Sequence, residues 1–292
     1  MDSSYLGSGY VPGVPHGQFS FDMQGDVLRV ATTQWGPAPD RGSFRTTSRI
    51  VTTGIMEGAL QILGSTGDLA PGERIFSVRY VGDRGYLVTF RQVDPLFVVD
   101  LSDPSAPTVL GELKIPGFSE YMHPLGDDHL LTIGQDADEQ GRVRGLALRI
   151  FDVSDDANPV AAHLYRFGEP GSSAASDDHR AFLFDEDRGL LSFPYVSYEG
   201  PYRSVLELFA VDAIDGFTRV GAVDHTDLGR NPCGESDAGN CRQVPWVRRG
   251  LFLDDFLYSI GATGVLVHRV RDLTDPVATV LLPGSMDGGG PD

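Results

Sequence analysis

The chain has 292 residues, 41% hydrophobic and 10% aromatic, a globular composition that excludes a disordered polymer. Its 41 Asp and Glu against 23 Lys and Arg give a net charge of −18, which excludes general binding to nucleic acid or anionic membrane, where phosphates would repel it. No apolar run reaches the roughly 18 residues of a membrane helix, and MDSSYLGSGYVPGVPHG lacks the basic start and apolar centre of a signal peptide.

Residues 1–16 are rich in Gly, Ser and Pro and read as a flexible lead-in. From there an acidic tight turn followed by an alternating strand returns five times: GDVLRVATT from Gly25, GDRGYLVTF from Gly82, GDDHLLTIG from Gly126, DEDRGLLSF from Asp185 and DDFLYSIG from Asp254. The second unit shows the full pattern. FSVRYVG from Phe76 is strand one, GYLVTF from Gly85 strand two, PLFVVDL from Pro95 strand three and TVLGELKI from Thr108 strand four. Gly and Asp supply the positive φ that a tight hairpin between strands one and two needs. Strands three and four are joined by DLSDPSAP from Asp100, DVSDDANP from Asp152 and DLTDP from Asp272, in which Asp and Ser side chains cap the turn.

The units run over about 18–72, 73–119, 120–175, 176–242 and 243–283. Four strands at this period make an all-β chain, a β-propeller of four-stranded antiparallel blades spanning 17–283, with a disordered tail at 284–292. Every unit begins at strand one. Two readings follow: five blades close through side-chain contact alone, or this is part of a larger ring.

ERIFSVRYVGDRGYLVTFRQVDPLFVVDLSDPSAPTVLGELKIPGFSEYMHPLGDDHLLTIG, from Glu73 to Gly134, closely resembles the secreted bacterial and archaeal proteins with a C-terminal β-propeller distantly related to WD repeats. The resemblance continues through GRVRGLALRIFDVSDDANP and DHRAFLFDEDRGLLSFP. It implies an extracellular, periplasmic or envelope-associated protein, longer than this chain at its N-terminus. It brings no reaction and no catalytic residues.

Site candidates come from the loops that do not repeat, those from strand four to strand one and from strand two to strand three. They gather Glu73, Arg74, Arg91, Asp94, Glu120, Tyr121, Asp178, His179, Tyr195, Tyr198, Arg203 and Trp246 at one end of the blades. Arg91 suits bidentate grip of a carboxylate, or else an ion pair with Asp94 or a neighbouring blade's acid. Asp178 and His179 resemble half of an acid–base pair. Adjacent residues on a strand point to opposite faces, however, so an inter-blade hydrogen-bond post is the competing reading.

Asp136 and Asp138 open a DxD…G calcium pattern whose twelfth position is Ala147, leaving a solvated acidic turn as the alternative. His123 and His129 flank the Gly126 turn and face one another if the hairpin is regular. Cys233 and Cys241, in NPCGESDAGNC, suit a small disulfide ring that would stabilise by about 2–3 kcal/mol, with two free thiols as the alternative. They sit in a long insertion, Asp224 to Pro245, that also carries His225 and Asp227.

Together these features point to an exported binding or scaffold module that recognises a protein, peptide or glycan through its loop face. The alternatives are a hydrolase or lyase with an acid/histidine site at the channel mouth, and a purely structural envelope module.

Overall fold

The computed structural model describes residues 4–37, 44–90, 94–138, 140–199, 203–228 and 246–282. The chain divides into two compact units, Met1–Leu164 and Tyr165–Asp292. The first holds three antiparallel sheets, each a meander in chain order. They are β1 (Phe21–Gln24), β2 (Val27–Pro37), β3 (Phe44–Met56) and β4 (Ala59–Ser65); β5 (Arg74–Val81), β6 (Arg84–Phe90), β7 (Asp94–Asp100) and β8 (Thr108–Ile115); and β9 (Phe118–Leu125), β10 (His129–Ala137), β11 (Val143–Asp152) and β12 (Val160–Arg166), whose last two residues, Tyr165 and Arg166, fall in the second unit.

The repeated turns form as their residues dictate. Gly25, Gly82, Gly126 and Gly189 all have φ between 53° and 63°, and Asp254 takes the same left-handed conformation at 48°. At Gly25, Gly82 and Asp254 this is the backbone a two-residue hairpin needs to match strand twist, and at Gly126 and Gly189 it serves turns of three and four residues. In the turns between strands three and four, side chains replace ladder bonds. Asp100 Oδ1 accepts from Ser102 N at 3.0 Å, and Asp103 Oδ1 accepts from Ser105 N at 2.8 Å. Asp152 and Asp155 repeat this with Ser154 N and Ala157 N. The Ser102 N–H at Asp100, and the side chains of Ser105, Ser154 and Asn158 ahead of the backbone N–H groups at Asp103, Asp152 and Asp155, hold these carboxyls below the usual carboxylate range.

Successive blades lock through these same turns. The outer strands β4, β8 and β17 each carry a bulge with a glycine beside it: Thr52 pairs Gly64, Val98 pairs Gly111 and Leu208 pairs Gly221. A Cβ on Gly64 would lie 2.5 Å from the carbonyl oxygen of Pro104, and one on Gly111 would run into that of Asp156. The bare glycine lets the next blade's aspartate-rich turn approach the strand backbone.

Arginines tie blades at the other turns. Arg29, almost fully buried, donates to Gly82 O at 2.6 Å and pairs with Asp83 at 3.4 Å. Arg84 bridges Asp100 at 2.9 Å and Asp156 at 2.7 Å. Between these ties lie two apolar cores. One joins Ala31 and Ile50 to Leu87, Val99 and Leu101, and the other joins Val88 and Val98 to Met122, Leu130 and Phe151.

Residues 5–16, expected as a flexible lead-in, pair with the first sheet. Val14 and Thr33 exchange backbone bonds at 2.8 and 2.9 Å, Leu60 N donates to Ser8 O, and Thr32 Oγ1 donates to Pro12 O. The edge of a sheet is a ready template for such a segment.

The second unit holds two further sheets. One comprises β13 (Gly171–Ser172), β14 (Leu183–Asp185), β15 (Leu190–Ser197), β16 (Arg203–Asp212) and β17 (Gly216–Asp224), and the other β18 (Val247–Leu253), β19 (Phe256–Gly261), β20 (Gly264–Arg269) and β21 (Ala278–Leu281). The strand-one position of the first is split, since β13 and β14 both pair with β15. Between them two short 3-10 turns leave the sheet. Ser173 Oγ accepts from Ala175 N and Asp178 Oδ1 from Arg180 N, local bonds that replace the ladder. Leu206, Leu208 and Val223 pack on Val247, Leu257 and Leu266 to close the core of this unit. Five antiparallel sheets of four successive strand positions are the blade plan of a β-propeller.

Candidate functional site

In the second unit a cleft of about 250 Å3 is lined by Tyr165, Phe167, Gly168, Glu169, Tyr195, Arg203, Glu207 and Arg219. Its floor follows from strand register. Phe193 pairs Glu207 and Tyr195 pairs Val205, so Phe193, Tyr195, Val205, Glu207 and Phe209 share one face of β15 and β16. Glu207 is therefore a carboxylate set in an aromatic face, only 4% exposed. A bulge between Leu208 and Phe209 brings Arg219 on β17 opposite Phe209, from where its guanidinium reaches Glu207 in a fork. Nε lies 2.7 Å from Oε2 and Nη2 lies 2.9 Å from Oε1. Burial pushes the Glu207 carboxyl up in spite of this partner, whereas the pairing raises Arg219.

The walls are aromatic. Phe167 lies 4.5 Å from Tyr195, centroid to centroid and tilted by 31°, and Tyr165 meets Phe167 and Phe209 edge-on at 5.3 and 4.8 Å. The Tyr195 hydroxyl donates to Glu169 O at 3.0 Å, and Ser197 Oγ donates to Glu169 Oε2 at 2.7 Å. Burial, then the charges of Glu169, Glu207 and Glu199, pushes the Tyr195 phenol up to about 12. At the rim Arg203 pairs with Asp224 at 3.0 Å.

Of the residues expected from the loops, Tyr195 and Arg203 line this cleft. Tyr198 is not among the lining residues, and its hydroxyl lies 2.6 Å from Ser172 Oγ. Asp178 does not line it. Its Oδ1 takes both the backbone N–H and the Nε of Arg180, and its Oδ2 lies 3.8 Å from Arg249. His179 opens the 3-10 turn that Asp178 caps. The expectation that both stand on a strand is thus corrected, because the capping bonds turn the chain out of the sheet. In the first unit Gln135 Nε2 donates to Glu120 Oε2 at 3.4 Å, and Tyr121 stands near Phe19 and Arg79. Arg91 lies outside the described residues, as do the side chain of Asp94 and both Cys233 and Cys241.

The calcium reading of Asp136 and Asp138 is corrected by their partners. Asp136 is buried against Arg149 at 2.9 Å, and Asp138 is held by Arg142 at 2.7 Å and by two backbone N–H groups. Carboxylates spent on guanidinium do not form the oxygen cage calcium takes. Among the described residues no group of three or more His, Cys, Asp or Glu is placed to hold a metal. His123 and His129 also miss one another as direct partners, since His123 pairs Leu131 and His129 pairs Leu125.

One juxtaposition was not visible in the sequence. His225 Nε2 and Ser259 Oγ lie 2.7 Å apart, as in a nucleophilic pair. Both residues are wholly buried, and a Cβ on Gly261 would lie 2.6 Å from His225 Nδ1. That Nδ1 has no hydrogen-bond partner among the described residues, and the neighbouring Asp224 accepts instead from Arg203 and Thr226 N. A triad needs the carboxylate on Nδ1 and the serine open to substrate, and this pair has neither. It is a core hydrogen bond.

Among the described residues no helix is long and apolar enough to cross a membrane. An uncharacterised protein of Methanocaldococcus jannaschii is 39% identical over 196 residues, covering 66% of this chain and 29% of that protein. One of Archaeoglobus fulgidus is 33% identical over 265 residues, covering 90% of this chain and 35% of that protein. The chain thus spans about a third of the length of these curated relatives. Among solved structures, Chaetomium thermophilum Sqt1 aligns with a TM-score of 0.43 at 8% identity, covering 87% of this chain and 69% of that one. Residues 1–273 match the family model described as beta propeller domain, and the chain belongs to that family.

Proposed function

We propose that this propeller is a non-catalytic binding module of an exported protein and that it takes a short segment of a protein or peptide in the fourth-blade cleft. The observation that carries this reading is the Glu207–Arg219 fork set among Tyr165, Phe167 and Tyr195. Aromatic walls with a few fixed polar groups are the composition of a recognition site. Among the described residues no histidine, serine, threonine or cysteine lines the cleft, which favours holding a ligand over turning it over. Export rests on the resemblance of Glu73–Gly134 to secreted propeller proteins.

The test is a peptide and glycan array probed with the purified chain, its Phe167→Ala variant and its Tyr165→Ala variant. The expected result is capture of peptides that both substitutions weaken. Ligands that are turned over rather than held would overturn the non-catalytic reading. Ligands indifferent to both substitutions would remove the cleft from it.

A further inference from the structure

We infer, resting on the cleft as a binding site, that its occupant is the side chain of a lysine or arginine presented by a basic protein partner. Four observations lead there. The first is the local charge. Glu169 and Glu207 line the cleft, and Glu199 and Asp224 stand beside it, against the two cations Arg203 and Arg219. Both cations are already committed, Arg219 to Glu207 and Arg203 to Asp224. Glu169 and Glu199 have no cationic partner among the described residues, and Glu169 Oε2 accepts only from Ser197 Oγ. An acidic ligand would have to displace a carboxylate from an arginine and then face two uncompensated acids. A cation meets Glu169 directly.

The second observation is the wall. Tyr165, Phe167 and Tyr195 offer aromatic rings beside that acid, and ring faces attract ammonium and guanidinium groups. The stem of a long basic side chain lies on apolar surface while its head reaches a counter-ion, which matches an aromatic wall ending at a carboxylate. The third is size. At about 250 Å3 the cleft lies below the range of pockets that enclose whole ligands, roughly 300–1,000 Å3. It accepts one side chain rather than a run of sugar rings. The fourth is the field of the chain. A net charge of −18 draws basic partners in and holds acidic ones off at a distance.

The experiment is an NMR titration of the whole chain at low salt with four probes: capped glycine-flanked peptides centred on Lys, on Arg and on Glu, and maltose as a neutral sugar. Each is repeated with Glu169→Gln, an exposed change that leaves the aromatic wall in place. The inference expects the Lys and Arg peptides to shift the backbone resonances of Gly168, Glu169 and Tyr195. It expects roughly fivefold weaker binding to Glu169→Gln and a further loss on raising salt. If the Glu peptide or maltose binds the same residues, with affinity unchanged in Glu169→Gln, the cationic occupant is wrong and the binding-module reading stands. If no probe moves those resonances, both fall.

Discussion

Strand three of the second blade and strand three of the fourth follow one backbone plan and meet different neighbours. On β7, Phe97 and Val99 enter one apolar core, and Leu96 and Val98 enter another, so both faces are sealed by adjoining sheets. On β16, Leu206 and Leu208 enter a core in the same way, but the opposite face carries Val205, Glu207 and Phe209. Where β7 sets only apolar groups, β16 sets a carboxylate whose partner, Arg219, opens onto a cleft. The difference teaches how this architecture gains a site. The ladder and the bulge are kept, and one charged residue replaces an apolar one on a face that is not fully sealed.

The contrast breaks most visibly at the outer-strand glycines. Gly111→Val forces a side chain into the carbonyl of Asp156, which belongs to backbone pinned by its own capping bonds. The expected loss is about 3 kcal/mol or more, read as a fall in the urea midpoint. Gly221→Val in the fourth blade meets only Leu273 Cδ1 at 3.2 Å, the far end of a flexible side chain. Its expected cost is about 1 kcal/mol. Equal losses would show that the fourth blade docks its neighbour as rigidly as the second does.

The next effect lies at the fork. Arg219→Ala strands the buried Glu207 carboxylate and is expected to cost about 2 kcal/mol, less than a fully buried pair because Arg219 is 43% exposed. The double variant Glu207→Leu with Arg219→Ala is expected to recover most of that loss, because no buried charge is left over. Recovery of stability without recovery of peptide capture separates the fork's role in binding from its role in folding.

These sites also mark how far the residues alone could be read. The hairpin turns were legible, because Gly-Asp pairs at a fixed offset before an alternating strand have one good conformation. The aspartate-rich turns were legible for the same local reason. Glu207 left a signal in SVLELFAV, a charge in the apolar phase of strand three. Its partner did not, because Arg219 reaches it only through a bulge that shifts the register. Gly111 reads as an ordinary strand residue, since what it accommodates comes from the next blade; ILGSTGD from Ile62 reads as the first unit's turn between strands three and four, whereas Gly64 lies on β4 and the turn is Glu57-Gly58. Ser259 and His225 are 34 residues apart and meet only in the folded sheet. The split of strand one around Ser173–Phe182 was missed because capping bonds compete with the ladder on nearly equal terms.

Acid should weaken both units through an imidazole in each, half-buried His123 in the first and wholly buried His225 in the second. In the first, burial and then Arg79 push His123 down to about 4; in the second, burial pushes His225 down to about 4. The unfolded chain binds a proton on each near pH 6.5, so between that value and 4 it holds more protons than the folded chain. Stability is therefore full above pH 6.5 and falls as pH drops toward 4. For the wholly buried His225 the loss is about 2–3 kcal/mol over that window. Glu207 acts in the opposite sense, since its raised carboxyl takes up a proton while folded. Urea midpoints at pH 7 and 4.5 for the chain and for His225→Gln measure the balance. A slope unchanged by the substitution would remove His225 from the acid response.

The smallest expected effect falls on the acid of the repeated turn itself. Gly82 supplies the left-handed backbone, so Asp83 is free to serve a second purpose, and its carboxylate meets Arg29 from the preceding blade at 3.4 Å. Asp83 is about half exposed, and Arg29 also donates to Gly82 O and pairs with Asp22. Asp83→Asn keeps the turn and removes one of several anchors for the guanidinium. The expected loss is about 0.5 kcal/mol at low salt, vanishing as salt screens the pair. In the second unit Arg188 likewise donates to a backbone oxygen, that of Asp254 in the place of Gly82, at 2.8 Å, but among the described residues no ion pair joins it to Asp255, the counterpart of Asp83. Asp255→Asn there should show no salt-dependent loss, because the contact does not use that carboxylate. A salt-dependent loss at Asp255 and none at Asp83 would mean that the repeated acids serve their own turns and do not tie one blade to the next.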